Sequence, residues 1–534
     1  MTTRERSFWG WGWADKFPDE ETRRAMGGHA RALLGVGELT PRPPPTLESI
    51  TLPSPRVTPP AELRELCSNA PGERAGHTYG KSYLDLVRGF RGDYSRAPDV
   101  VARPRSEEDI TRVLEWCARE RLAVIPFGGG TSVVRGVERP QDGRHNGAVS
   151  VDLTALDRVL EVDPVSRAAR IQAGTLGPVL ESQLAGHGMT LRHYPQSFEF
   201  STLGGWIATR AGGHFATLYT HIDELVESVR MITPRGLWAS RRLPASGAGP
   251  APDRMVLGSE GTLGIITEAW MRVQLRPRWR ASASVLFSDE KSAVDATRAV
   301  SQSGLHPSNC RLLDANEARL NAVRDDGSCV LLLGFESADH PLEAWMGRAL
   351  AITAEHGGAC PDGPRLRDDG EKVGSGAAES WRAAFLEAPY LQNAMVSLGV
   401  IADTFETACT WDRFETVHGA VREAMREAME RVCGGGLLSC RFSHVYPDGP
   451  APYYTFVAPA RVGAELEQWS ELKRAAADTL SAHGATITHH HAVGRTHRPW
   501  YDRERPEPFA LALRAAKAAL DPAGILNPGV LFDP

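Results

Sequence analysis

The segment Ile487–Arg495, ITHHHAVGR, sets His489, His490 and His491 side by side near the end of the chain. Histidine titrates close to neutral pH and ligates metals through a neutral ring, so such a run can move protons or hold a cation. The flanking GATIT is β-branched and predicts a strand, on which alternate side chains share a face. His489 and His491 would then point one way and His490 the other, and all three converge only if the backbone bends. Two histidines on one face can hold a metal, but a catalytic site needs at least three protein ligands.

A second chemistry-bearing stretch is PFGGGTSVVRG, Pro126 to Gly136. Its three glycines follow an apolar run and let backbone N–H groups approach an anion, while Thr131 and Ser132 add hydroxyl donors. The spacing fails both the dinucleotide fingerprint G-x-G-x-x-G and the P-loop, which needs G-K-[ST]. Taken alone, a tight turn and a phosphate cradle remain equally open. QSFEFSTLGGWIATRAGG (196–213) and MVLGSEGTLGIIT (255–267) are also rich in glycine and hydroxyls, and both adjoin strand-like runs. Three such loops in one region suit an extended ligand with a pyrophosphate and a flat ring.

Elements that position these residues follow from pattern. Ser106 can cap a helix whose Ile110, Val113, Leu114 and Cys117 form one apolar face, and LAVIPF after it predicts a buried strand. GAVSVDL, RAARIQAG, ESVRMITPRG and LGIITEAWMRVQL predict further short strands. WDRFETVHGAVREAMREAMERV predicts a long helix, while LLSCRFSHVY and YYTFVAP predict strands. FALALRAAKAALDPAGILNPGVLF predicts an amphipathic helix ended by Asp-Pro and a glycine turn. The proline-dense TPRPPPTLESITLPSPRVTPP and the Trp9, Trp11, Trp13 cluster before it suggest a segment draped over a folded body.

At 534 residues the chain predicts two or three domains. Hydrophobic residues at 42%, charged residues at 24% and a net charge of −6 describe a globular protein without a nucleic-acid footprint. No apolar run approaches the roughly 20 residues of a membrane span, and the N-terminus lacks the apolar core of a secretory signal. Eight cysteines without C-x-x-C predict reduced thiols and a cytoplasmic setting. The abundance of Ala, Arg, Gly and Pro fits a GC-rich bacterial genome.

VARPRSEEDI, VIPFGGGTSV, STLGGWIATRAGG and GSEGTLGIIT together resemble the PCMH-type FAD-binding domain of the vanillyl-alcohol oxidase superfamily. The resemblance implies an α+β architecture: a two-subdomain FAD-binding domain over residues 95–278 and an α/β cap with an antiparallel sheet over 279–480. It implies a loop-rich and helical segment at 1–94, and a segment at 481–534 that returns to the FAD domain and completes the active site. FAD contacts are implied for Pro126, Gly128, Gly129, Gly130, Thr131, Ser132, Ser197, Ser201, Thr202, Gly205, Thr209, Glu260, Gly261, Gly264 and Ile266. Thr131 stands where covalent members carry histidine, which implies non-covalent FAD.

RLLDANE (311–317), DTFETACTWDR (403–413), SCRFSHVY with YYTF, and THHHAVGR occur in the order found in the alkyldihydroxyacetonephosphate synthase family. WGWGWADKF near the N-terminus adds to that resemblance. It implies exchange of the acyl group of acyl-dihydroxyacetone phosphate for a long-chain fatty alcohol, through a flavin N5 adduct without net redox. Tyr453 is implied as general acid/base, the His489–His491 run as proton-transfer and polarising groups, and Arg311 as a cation near flavin or substrate. A lipid-sized tunnel, peripheral membrane contact and a homodimer are further expectations. Where the family carries an active-site arginine, this chain reads Gln392.

Two other readings stay open. LDPAGILNPGVL resembles the FAD-dependent 2-hydroxyacid dehydrogenases of D-lactate and glycolate type. Those relatives take metal ligands from H-x-G-D-G-N-x-H and E-H-G, whereas here His444 lacks the second histidine and His490 replaces the glutamate, so no metal is expected. The other reading is a flavin-binding protein without catalysis.

Overall fold

The computed structural model describes residues 4–141, 143–215, 221–368 and 377–533. Among them lie three substantial sheets, built from the segments the alternation pattern marks. The first has a parallel heart in which Gly147–Asp152 lies between Val100–Ala102 and Leu122–Phe127, with Cys67–Ser68 on the edge. Glu107–Glu120 crosses over it. Ser106 caps this helix by accepting from the Asp109 N–H, and Ile110, Val113, Leu114 and Cys117 are buried as the spacing requires. Leu122–Phe127 then ends at the glycine loop. A second, antiparallel sheet runs Val159–Asp163, Ala168–Gln172, Ile265–Arg272, Val226–Thr233 and Gly236–Ala239.

The third sheet has seven strands, in the order Arg365–Arg367, Trp279–Phe287, Cys329–Ser337, Asn309–Leu313, Leu437–Val445, Pro450–Pro459 and Val400–Glu406. Its recorded pairings are all antiparallel. Helices Glu290–Gln302, Trp411–Cys433 and Glu465–Ala482 bury their apolar stripes against one face, in the largest core cluster. That cluster also takes in Trp9 and Trp11, so the N-terminal segment is a structural part of the cap. Trp11 N–H donates to Asn393 Oδ1 and its indole to Gln392 Oε1, while the Trp13 indole reaches Glu199 on the flavin-domain side.

The C-terminal helix Glu507–Leu520 ends at Asp521, as the Asp-Pro pair predicts. The chain beyond it returns to the first sheet, where Val124 N–H donates to Ile525 O and Asn527 N–H to Val124 O. Two expectations fail. GATIT and the histidines after it form no strand; residues 485–494 are an irregular loop. The alternation inferred for His489, His490 and His491 fails with it. The Glu406 carboxylate collects the backbone N–H groups that a ladder would have used. No helix among the described residues is long and apolar enough to cross a membrane.

Candidate active site

The cap sheet builds its half of the site by register. Arg441, Tyr453 and Glu406 sit directly opposite one another on three adjacent strands, so they form one row on one face. The Arg441 guanidinium lies 3.8 Å from the centre of the Tyr453 ring and donates to Glu317 Oε1 at 2.6 Å. Tyr453 donates to Thr404 Oγ1 at 3.0 Å. Burial raises the Tyr453 phenol, partly offset by Arg441 and Thr404, so it keeps its proton at neutral pH.

Glu406 explains the shape of the histidine loop. Its carboxylate is buried and accepts from the backbone N–H groups of His489, His490 and His491 and from the Thr488 hydroxyl. Burial pushes this carboxyl up, but the three histidines and Thr488 outweigh it and hold the group well below its usual range. Three successive N–H groups aimed at one anion require a curled backbone, which sets the His490 and His491 rings toward the inner cavity and His489 toward the outer one. His490 and His491 both approach Tyr453, with ring centres 6.0 and 5.5 Å away.

His444 arrives by a different device. A register shift between Phe442 and His444 bulges its strand and turns the imidazole toward the histidine loop. It lies 4.9 Å from His489 and 5.1 Å from His490, centre to centre. The carbonyl of Ser443, freed at the bulge, accepts from Arg311, which also meets His214 Nδ1 at 2.9 Å. Burial, then Arg441, pulls the Arg311 guanidinium down to about 9, so it remains charged at neutral pH.

Burial keeps the whole imidazole cluster neutral: His490 is lowered to about 3, His491 to about 4, and His489 and His444 well below the usual range. Tyr446 Oη lies 2.6 Å from His489 Nε2, and His489 Nδ1 lies 3.0 Å from His490 Nδ1. A neutral ring has one N–H, so these contacts form a chain that can run in either direction: Tyr446 donates to His489 and His489 to His490, or both donations are reversed. His489 lines an outer cavity of about 710 Å³ together with Tyr446 and His221, while His490 and His491 line an inner one.

His444, His489 and His490 offer ligand atoms within 4.8 Å of one another, so three donors for a metal do come together here. The sequence expectation of two same-face ligands understated this, because His444 comes from another strand. In the structure their nitrogens are engaged by Gly213, Ser443, Tyr446 and each other.

The inner cavity, of about 840 Å³, runs between the cap sheet and the three glycine loops. Every glycine-loop residue singled out in the sequence borders it: Pro126, Gly128, Gly129, Gly130, Thr131, Ser132, Ser197, Ser201, Thr202, Gly205, Thr209, Glu260, Gly261, Gly264 and Ile266. So do Arg311, Tyr453, His490 and His491; His489 does not. The loops are glycine because they touch each other. A Cβ on Gly129 would lie 1.5 Å from the Phe200 carbonyl, and Gly130 takes φ +68 beneath the Phe127 ring. Glu260 works as a clasp: its carboxylate accepts from the Val493 and Gly494 N–H groups and ties the histidine loop to the flavin domain.

The residues present fit FAD. The cavity falls within the roughly 300–1,000 Å³ of ligand pockets, backbone-lined loops close one end, and the buried Oδ1 of Asn527 at its wall has no partner. Gln392 also lines it, its amide already used by Trp11 and the Ala402 carbonyl, so it cannot replace a guanidinium. Sequence reading missed Arg441, Glu406, Thr404, Lys473 and Lys81 at this site. The first three lie in segments whose pairing register, once known, would have exposed them.

Comparison with known proteins agrees with this geometry. Residues 98–240 match the family "FAD binding domain" and residues 276–531 match "FAD linked oxidases, C-terminal domain". The chain is 31% identical over 486 residues to the alkyldihydroxyacetonephosphate synthase of Caenorhabditis elegans, covering 87% of this chain and 81% of that protein. It is 29% identical over 533 residues to that of Trypanosoma brucei brucei, covering 93% and 85%. A solved alkyldihydroxyacetonephosphate synthase superposes with a TM-score of 0.82 at 25% identity, over 98% of both chains. With the flavin cradle, the seven-stranded cap and the histidine loop in these positions, the chain belongs to the alkyldihydroxyacetonephosphate synthase family of FAD-dependent enzymes.

Proposed function

We propose that this enzyme replaces the acyl group of acyl-dihydroxyacetone phosphate with a long-chain fatty alcohol, forming an ether-lipid precursor. One observation carries the reading: the Tyr453–His490–His491 cluster and the glycine loops share a cavity that extends into apolar lining. Met26, Ala30 and Leu33 from the helix Glu20–Leu34 border it, as do Leu391, Met395 and Val457. Such a lining suits alkyl chains and gives little purchase to a small hydroxy acid.

The exchange breaks the bond between carbon 1 and the acyl oxygen and forms one between carbon 1 and the alcohol oxygen. The fatty acid leaves as a carboxylate, and the alcohol proton must leave the site. FAD, held non-covalently by the glycine loops, supplies the electron-accepting ring system that makes exchange at this carbon feasible. Tyr453, kept protonated, donates toward the departing carboxylate. His490 and His491, kept neutral, take a proton from carbon 1 and return one to it as the ether bond is completed, and they accept the proton of the incoming hydroxyl. His489 and Tyr446 extend the chain of exchangeable protons toward the outer cavity. Arg311 and Arg441 place positive charge where oxyanions gather.

The test supplies palmitoyl-dihydroxyacetone phosphate with labelled hexadecanol. Ether product without bleaching of the flavin is expected. Bleaching by D-lactate together with stoichiometric bound zinc would instead make the chain a hydroxyacid dehydrogenase using the His444, His489 and His490 donors. Acid denaturation should release all of the yellow colour, because Thr131 offers no ring nitrogen for a flavin bond. Peripheral membrane contact and a homodimer belong to the same proposal. Both substrates partition into bilayers, so co-sedimentation with phospholipid vesicles tests the first, and light scattering tests the second.

A further inference from the structure

We propose that Lys81 is a phosphate-binding cation of the inner cavity, held without a direct ion pair to a protein carboxylate so that a ligand phosphate completes it. Lys81 lies in YGKSY, just before the helix Tyr83–Phe90. Its backbone N–H donates to the Ser132 carbonyl at 2.6 Å, and a Cβ on neighbouring Gly80 would lie 2.1 Å from that same oxygen. The lysine is thereby pinned to the end of the glycine loop. It is 5% exposed, and it lines the inner cavity together with Gly128 to Ser132.

Among the described residues, no carboxylate forms an ion pair with it. Asp85 acts on it from nearby without pairing with it; Asp85 Oδ2 accepts from the Ser82 backbone N–H and hydroxyl, and Oδ1 is buried without a hydrogen-bond partner. Arg6 donates to the Gly129 carbonyl at 2.9 Å and repels the Lys81 ammonium. Two cations therefore flank a glycine loop that borders the cavity. A buried ammonium facing a second cation is strongly disfavoured unless an anion joins it. Burial, then Arg6, lowers the Lys81 ammonium to about 7 against the pull of Asp85, which agrees with a charge completed on binding. A hydrogen bond to a charged group suits a phosphate oxygen.

Two phosphates could meet Lys81: the pyrophosphate of FAD, and the phosphate ester of the substrate, which rests on the function proposed above. The experiment compares wild type, Lys81→Met and Lys81→Arg in the full chain. It measures FAD affinity of the flavin-stripped protein, perturbation of the bound-flavin spectrum by inorganic phosphate, and melting temperature with and without FAD. For a pyrophosphate contact, Lys81→Met weakens FAD binding by about 10- to 100-fold. For a substrate-phosphate contact, FAD binding is retained and the inorganic-phosphate response weakens by a similar factor.

In both cases Lys81→Met melts higher than wild type in the flavin-stripped state, because an uncompensated buried charge has gone, and Lys81→Arg retains binding. The proposal is overturned if Lys81→Met leaves both affinities within twofold. It is equally overturned if the flavin-stripped variant melts lower, as loss of a structural ion pair would require. Failure of wild type to make ether product, with the Lys81 effects intact, would count against the proposed substrates alone.

Discussion

Tyr453 and the imidazoles beside it are opposite halves of an acid–base pair, and burial sets both. The phenol is raised and stays protonated, while His490 and His491 stay neutral down to about 3 and about 4. Tyr453→Phe should lower kcat by about 10²- to 10⁴-fold with unchanged FAD content, read from turnover and the visible spectrum. The acid limb of the activity profile should fall below about pH 5, well under the 6.5 of a free imidazole; a limb centred near 6.5 would refute the buried, neutral cluster. At this scale the sequence named Tyr453, Arg311 and the histidines through motif resemblance. It could not name Arg441 or Glu406, because one is an ordinary mid-strand charge and the other an ordinary strand-end charge until register sets them beside Tyr453.

Two short elements turn these residues into a site. The histidine loop is curled by the Glu406 carboxylate, and the flavin cradle is closed by backbone contacts between glycine loops. Glu406→Gln keeps the shape but loses the charge that gathers three N–H groups. It should destabilise the protein by about 2–4 kcal/mol in urea unfolding and abolish turnover. Gly129→Ala places a methyl 1.5 Å from the Phe200 carbonyl, so the 128–132 and 197–202 loops must separate. We expect loss of bound FAD together with a drop of about 1–3 kcal/mol in stability. The glycine loops were legible because backbone contact selects glycine strongly. The histidine loop was misread as a strand because β-branched residues at 486–488 follow local propensity, and the overriding carboxylate lies about 80 residues earlier.

At the scale of the whole molecule, the N-terminal segment and the buried histidines link the site to global stability. Trp11 is buried among cap residues and bonded to Gln392 and Asn393, so Trp11→Ala should cost about 3–5 kcal/mol. His193, His490, His491 and His497 are each lowered by burial from 6.5 to between about 3 and about 4. Between those values the unfolded chain binds more protons, so their stabilisation is complete above pH 6.5 and is lost as the pH falls through about 4. Thermal unfolding followed from pH 8 to pH 4 should show this loss. The sequence by itself determined the α+β architecture, the three glycine loops and the family, because periodicity, glycine demand and ordered motifs are local properties of the chain. Only the tertiary structure decided that the histidines curl around Glu406, that Arg441 stacks on Tyr453, and that Lys81 lies buried beside the glycine loop. Those arrangements depend on strand register and on charges brought together from distant segments, and burial strengthens their interactions only once the chain has closed around them.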